Sequence, residues 1–254
     1  MVGRRARTRG WSLGSLATVS AILMLLVLPA LAEGHLTKLS FTSPFTGLQS
    51  YTGDSTSLYG CGNNSSTAAP FAFNNSSGFL NGRLSVSMTP TSACPKGGGG
   101  TAWRYLDLYL LSPDITVAKG GLYVLRDVWW FNWFFNYTMK IAPNPSHQQA
   151  QANGEIVLWM WVNDLSTNTS TPQTLVYTSS PGALNVNVTG SAHEATWISL
   201  PIVTALTRGQ TYQLVTYMWV QFVAASGPYP NSAVASLDLG TAGRGMALRA
   251  ITVK

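Results

Sequence analysis

Three stretches of this 254-residue chain alternate tryptophan and tyrosine with side-chain amides and one carboxylate. That is a side-chain set suited to uncharged, polyhydroxylated ligands. The C–H faces of sugar rings pack on indole and phenol, while amides and carboxylates bond the hydroxyls. In residues 127–141 the odd positions Trp129, Phe131, Trp133, Phe135, Tyr137, Met139 and Ile141 are apolar, whereas Trp130, Asn132, Phe134, Asn136, Thr138 and Lys140 form a mixed row. In 155–164 the aliphatic row Ile156, Leu158, Met160 and Val162 stands opposite Glu155, Val157, Trp159, Trp161 and Asn163. In 211–225 the inward row Tyr212, Leu214, Met218, Val220 and Phe222 opposes Gln213, Tyr217, Trp219 and Gln221. A period of two is that of a strand with two different faces. If the three strands share one sheet, Trp130, Phe134, Glu155, Trp159, Trp161, Asn163, Gln213, Tyr217, Trp219 and Gln221 form one ligand-binding surface. Two other readings use the same residues: core covered by another segment, or a contact between copies of this chain, since aromatics concentrate at interfaces.

The elements that must carry these rows are strands throughout. Beyond residue 100, β-favouring runs at 103–111, 121–128, 128–141, 155–163, 173–177, 185–189, 196–202, 211–225, 233–239 and 245–253 are separated by Gly, Pro, Asn and Ser. Parity shifts near Arg126 and Asp127, which predicts a bulge there, and residues 201–208 could form a short helical turn. Ten or more antiparallel strands predict an all-β fold, a single large antiparallel β-sandwich of jelly-roll, concanavalin-like type spanning 33–254. Its strand 35–42 precedes a loop region, 43–100, expected to hold one or two strands and to end in a flexible glycine run at 97–100. A segment that long is either functional or structured by its own cross-link.

The five residues Glu155-Ile156-Val157-Leu158-Trp159 resemble the nucleophile strand of family 12 endoglucanases, in which a Glu is followed by apolar residues and a Trp on a concave sheet. The resemblance implies a secreted polysaccharide hydrolase with Glu155 as nucleophile. A retaining glycosidase needs a second carboxyl ~5 Å away, and 212–228 supplies neither Asp nor Glu. Glu194, read as lying at a turn, is the other interior glutamate. His35, His147 and His193 stand in loop-like contexts without metal-binding spacing. No Gly-x-Ser-x-Gly elbow or phosphate loop is present, so no cofactor and no metal is expected.

Residues 1–32 read as a secretory signal: Arg4, Arg5, Arg7 and Arg9 precede a mostly apolar run ending at Ala30-Leu31-Ala32. Left uncleaved, the segment is long enough to anchor the chain in a membrane at ~20 residues, the one membrane contact expected. The chain's net charge of +6 is largely a property of this leader. Without it eleven basic residues face nine acidic ones, a net +2, and nucleic acid is excluded as a partner because no basic cluster remains. Cys61 and Cys94 are expected to form a disulfide, as befits an exported chain. Asn63, Asn64, Asn74, Asn75, Asn136, Asn168 and Asn187 begin Asn-x-Ser/Thr glycosylation sequons. Together these features predict a secreted or cell-surface glycoprotein without enzymatic activity that binds glycans or copies of itself.

Overall fold

The computed structural model describes residues 39–42, 44–68, 71–95, 98–143, 149–239 and 245–254. The expected leader lies outside them, as do His35 and His147. Seventeen strands and no helix occur among the described residues. Sheet I contains β1 (Leu39–Thr42), β3 (Asn63–Ala68), β4 (Ala72–Asn74), β5 (Phe79–Asn81), β6 (Arg83–Thr89), β9 (Gly121–Lys140), β14 (Val188–Leu206), β16 (Ser232–Asp238) and β17 (Met246–Val253). Sheet II contains β2 (Gln49–Gly60), β7 (Gly100–Leu111), β8 (Ile115–Thr116), β10 (Ala150–Asp164), β11 (Thr169–Ser170), β12 (Thr174–Ser179), β13 (Gly182–Leu184) and β15 (Thr211–Ser226).

The long strands of sheet II run β10, β15, β7, β2, each antiparallel to the next. From β6 onward the chain passes back and forth between the sheets, β6 to β7, β9 to β10, β14 to β15 and on to β16. This is the winding of a jelly roll, and the all-β, two-sheet antiparallel fold class is as the alternation predicts.

The core lies between the apolar rows. Trp129, Phe131, Trp133 and Phe135 of β9 are buried against Ile156, Leu158, Met160 and Phe222 from sheet II. Phe135 stacks on Phe222 with ring centroids 5.9 Å apart, and Gly154 makes room for it: a Cβ there would meet the Phe135 ring at 2.8 Å. A polar pair, Asp127 and Thr216, interrupts the layer. Asp127 is 1% exposed, and its Oδ2 accepts a hydrogen bond from the Thr216 hydroxyl of sheet II.

Several expectations are corrected by the pairing. Residues 121–128 and 128–141 are one strand, β9, whose odd positions stay inward through Asp127. The apparent parity shift is a buried carboxyl, and the bulge lies on the partner strand β17, between Leu248 and Ala250. Residues 185–189 and 196–202 belong largely to one strand, β14, paired with β9 from end to end. Pro201 lies within it, so no helical turn forms at 201–206; β14 is an edge strand, where a proline's missing N–H costs no ladder bond.

The region 43–100 holds five strands, β2 to β6. They extend the two sheets sideways and leave the polar-aromatic rows uncovered among the described residues. Gly97 lies outside the described residues, and Gly99 and Gly100 are closely packed: a Cβ on Gly99 would lie 2.1 Å from the Ser226 carbonyl oxygen, and one on Gly60 would lie 2.3 Å from the Gly100 Cα. Only glycine permits backbones to approach this closely. The expected Cys61–Cys94 disulfide is present, with Cα atoms 5.6 Å apart.

Candidate functional site

The outer face of sheet II is built in rows set by the register. Trp159, Tyr217, Tyr109 and Tyr51 align across β10, β15, β7 and β2. The next row is Val157, Trp219, Asp107 and Gly53, followed by Glu155, Gln221, Tyr105 and Ser55. Ring contacts join seven aromatics into a ladder. Trp161 meets Tyr109 edge-on at 6.4 Å, Tyr109 meets Tyr217 at 4.4 Å, Tyr217 stacks on Trp159 at 5.5 Å, and Trp159 meets Trp219 at 6.2 Å. Trp219 then meets Tyr105 at 5.6 Å and Tyr105 meets Trp103 at 4.3 Å.

None of the seven rings is buried; six are half-buried and Tyr109 is 40% exposed. The covered-core reading of these residues therefore does not hold for the described structure. Because the rings hold one another, little side-chain freedom remains to be lost when a ligand arrives.

Polar groups are fixed among the rings. The Tyr217 hydroxyl donates to Asp107 Oδ1 at 2.6 Å. Burial first, and then the hydrogen bond and charge of Asp107, raise the Tyr217 pKa above its ordinary value, keeping the phenol a donor. Asn163 Oδ1 accepts from Trp161 Nε1 at 3.0 Å and from the Ser170 hydroxyl at 2.8 Å. Gln213 Nε2 donates to Asp114 Oδ1 at 3.1 Å. Glu155 and Gln221 are register partners, both half-exposed.

Eight of the expected residues, Glu155, Trp159, Trp161, Asn163, Gln213, Tyr217, Trp219 and Gln221, thus share one face. Trp130 and Phe134 do not join them. Their strand, β9, belongs to sheet I, and its inward row packs against the inward rows of β10 and β15, so its mixed row points away on the opposite side of the sandwich. There Trp130 meets Trp197, which is 60% exposed, at 5.3 Å. Phe134 stacks on His193 at 3.8 Å, and His193 Nε2 lies 3.1 Å from Asn132 Oδ1. His193 is accordingly a strand residue of β14, not a loop histidine.

Trp103, Tyr105, Asp107, Tyr109 and Tyr51 were not among the expected residues. The signal for the first four was the alternation within 103–110, where Leu106, Leu108 and Leu110 fill the inward positions.

Glu155 projects from the outer face of sheet II, on β10. Its nearest carboxylate row on that face holds Asp107, two strands and one two-residue step away, on the order of 12 Å between Cα positions. Glu194 is within β14, not at a turn, and on the inward side of sheet I, where it accepts a hydrogen bond from Tyr177.

The sequon asparagines divide by environment. Asn63, Asn74, Asn136, Asn168 and Asn187 are exposed, whereas Asn64 and Asn75 are half-buried. Asn75 is spent on packing: its Nδ2 donates to the Leu48 carbonyl at 3.0 Å and its Oδ1 is buried.

No protein-family model matches this sequence, and no curated protein matches it significantly. Among solved structures, the K1 cleaved adhesin domain of Lys-gingipain from Porphyromonas gingivalis W83 is 14% identical over 75% of this chain and 98% of its own, with a TM-score of 0.23. A family 35 carbohydrate-binding module from Clostridium thermocellum is 13% identical over 80% and 98%, with a TM-score of 0.20. A family 11 carbohydrate-binding module from the same organism, solved in complex with a β-1,3-1,4-mixed-linked tetrasaccharide, is 11% identical over 85% and 97%, with a TM-score of 0.22. At such scores the likeness carries no argument about function, and the fold class stands on the strand pairing itself.

Proposed function

We propose that this domain is a non-enzymatic glycan-binding β-sandwich, exported to the cell surface or the extracellular space, and that the outer face of sheet II is its binding surface. The observation that carries this reading is the open ladder of seven rings from Trp161 to Trp103, with Asp107, Glu155 and Gln221 set between them. Rings give apolar contact area at low entropic cost, and the carboxylates and amides bond hydroxyls directionally. Export is supported by the leader-like residues 1–32 and by the disulfide, which persists in oxidising compartments.

Trp219, which touches both Trp159 and Tyr105, links the two parts of the ladder. In titration calorimetry against a panel of soluble polysaccharides, Trp219→Ala is expected to weaken binding about tenfold or more, near the hot-spot range for tryptophan. Trp197→Ala, on sheet I, serves as the control and leaves affinity unchanged. Equal affinity of wild type and Trp219→Ala would remove the proposal. Concentration-dependent light scattering that disappears in Trp219→Ala would assign the face to contacts between copies of the chain instead. Release of reducing ends by wild type and not by Glu155→Gln would make the domain a hydrolase.

A further inference from the structure

At one end of the same face the register row Gln151, Ala225, Thr101 and Tyr59 lines a cleft of about 460 Å³, within the size range of small-molecule sites. Its centre is low because Ala225, Gly99 and Gly100 offer no bulk. Two exposed apolar side chains, Tyr59 and Leu184, line it. Asn185 fixes its margin, accepting from the Ala150 N–H at 3.0 Å while its own N–H donates to the Ala150 carbonyl at 2.8 Å. Gln151 and Thr101 bring an amide and a hydroxyl to it.

We infer that this cleft is an extension of the ladder that takes an uncharged sugar unit of the same glycan chain, so that the protein selects neutral glycans and binds longer ones more tightly. The inference rests on the proposed reading of sheet II as a glycan surface. Its selectivity follows from charge. Among the described residues, those lining the cleft carry no carboxylate, ammonium or guanidinium group. The outward rows of β10, β15, β7 and β2 carry carboxylates, Asp107 and Glu155, and no lysine or arginine, which disfavours uronate and sulfate groups. Length dependence follows from spacing. Trp103, the last ring of the ladder, follows Thr101 by one two-residue step on the same strand, roughly 7 Å, and the Trp219 row lies six residues from Thr101, roughly 20 Å. A disaccharide on the central rings does not reach the cleft; a hexasaccharide does.

The test uses gluco-, manno- and xylo-oligosaccharides from disaccharide to octasaccharide, with oligogalacturonides as the acidic series, titrated against wild type, Tyr59→Ala, Ala225→Phe and Trp219→Ala. Tyr59 is 78% exposed at a sheet edge, so its replacement tests the cleft without endangering the fold, whereas Ala225→Phe fills it. Both are expected to lower affinity for a neutral hexasaccharide about tenfold and to leave the disaccharide unaffected, and oligogalacturonides are expected not to bind. If Trp219→Ala weakens hexasaccharide binding and both cleft variants do not, the cleft inference is wrong and the ladder reading survives. If only the cleft variants weaken it, the ladder reading fails and the cleft stands as a separate saccharide site. Preference for oligogalacturonides, or no binding of any neutral oligosaccharide, overturns the inference.

Discussion

A Cys61→Ser/Cys94→Ser double variant is expected to lose about 3–4 kcal/mol of unfolding free energy, the loop-closure entropy of a cross-link spanning this length of chain. The two cysteines are 33 residues apart in sequence. They lie on two connections that pass between the sheets at the same end of the sandwich: Cys61 between β2 and β3, Cys94 between β6 and β7. The bond thereby holds together the segment 61–94, whose four strands are short and join sheet I at or near its margins. It also fastens the end of sheet II, where the Cys61 N–H donates to the Gly99 carbonyl at 3.2 Å beside the cleft. Urea unfolding measures the loss as a lowered midpoint. A loss below about 1 kcal/mol would mean that the denatured chain is compact enough for the cross-link to restrict little. Reduction with thiol should reproduce the double variant, because no free cysteine is present.

The inward rows were legible in the sequence because a two-residue period leaves little choice once one face must be buried: Trp129 to Met139, Ile156 to Val162 and Tyr212 to Phe222 are inward as read. What periodicity cannot supply is which sheet a strand enters. Trp130 and Trp159 occupy equivalent mixed rows in the sequence, yet the crossover from β9 to β10 puts them on opposite surfaces of the molecule. Edge strands were the other weak point. The inward positions of β14 include Gly190, Ala192, Glu194 and Thr196, so 188–206 shows no unbroken apolar row, and its nineteen residues read as two short strands and a turn. The ladder was half visible. Its β10 and β15 members stood out through tryptophan, whereas Trp103, Tyr105 and Tyr109 lay within a strand recognised as such and their common face emerges from the same alternation. Asp127 was misread for a related reason: a carboxyl on an inward position looks like a break in parity until the neighbouring sheet shows Thr216 opposite it.

That carboxyl sets the second large expectation. Asp127 is buried between the sheets; desolvation raises its pKa to about 6, opposed in part by the Thr216 hydroxyl and the Trp129 side chain. Its Oδ1 has no hydrogen-bond partner, and it forms no ion pair among the described residues. A folded-state pKa above the unfolded value of about 3.9 means that the native state holds the proton more tightly. The stabilisation from the neutral acid is therefore complete below about pH 3.9 and is lost as pH rises through about 6. Wild type should lose about 3 kcal/mol relative to Asp127→Asn between those limits, a shift of roughly two pKa units at 1.36 kcal/mol each. The amide keeps an acceptor for Thr216 and cannot ionise, so the absolute stability of the variant matters less than the change in the difference with pH. Parallel stability curves for the two proteins from pH 3.5 to 7.5 would show that Asp127 titrates normally and that water reaches it. A gain of about 3 kcal/mol by wild type on the variant as pH falls through that range would identify the buried carboxyl of Asp127 as the titrating group, because the native core then holds it neutral.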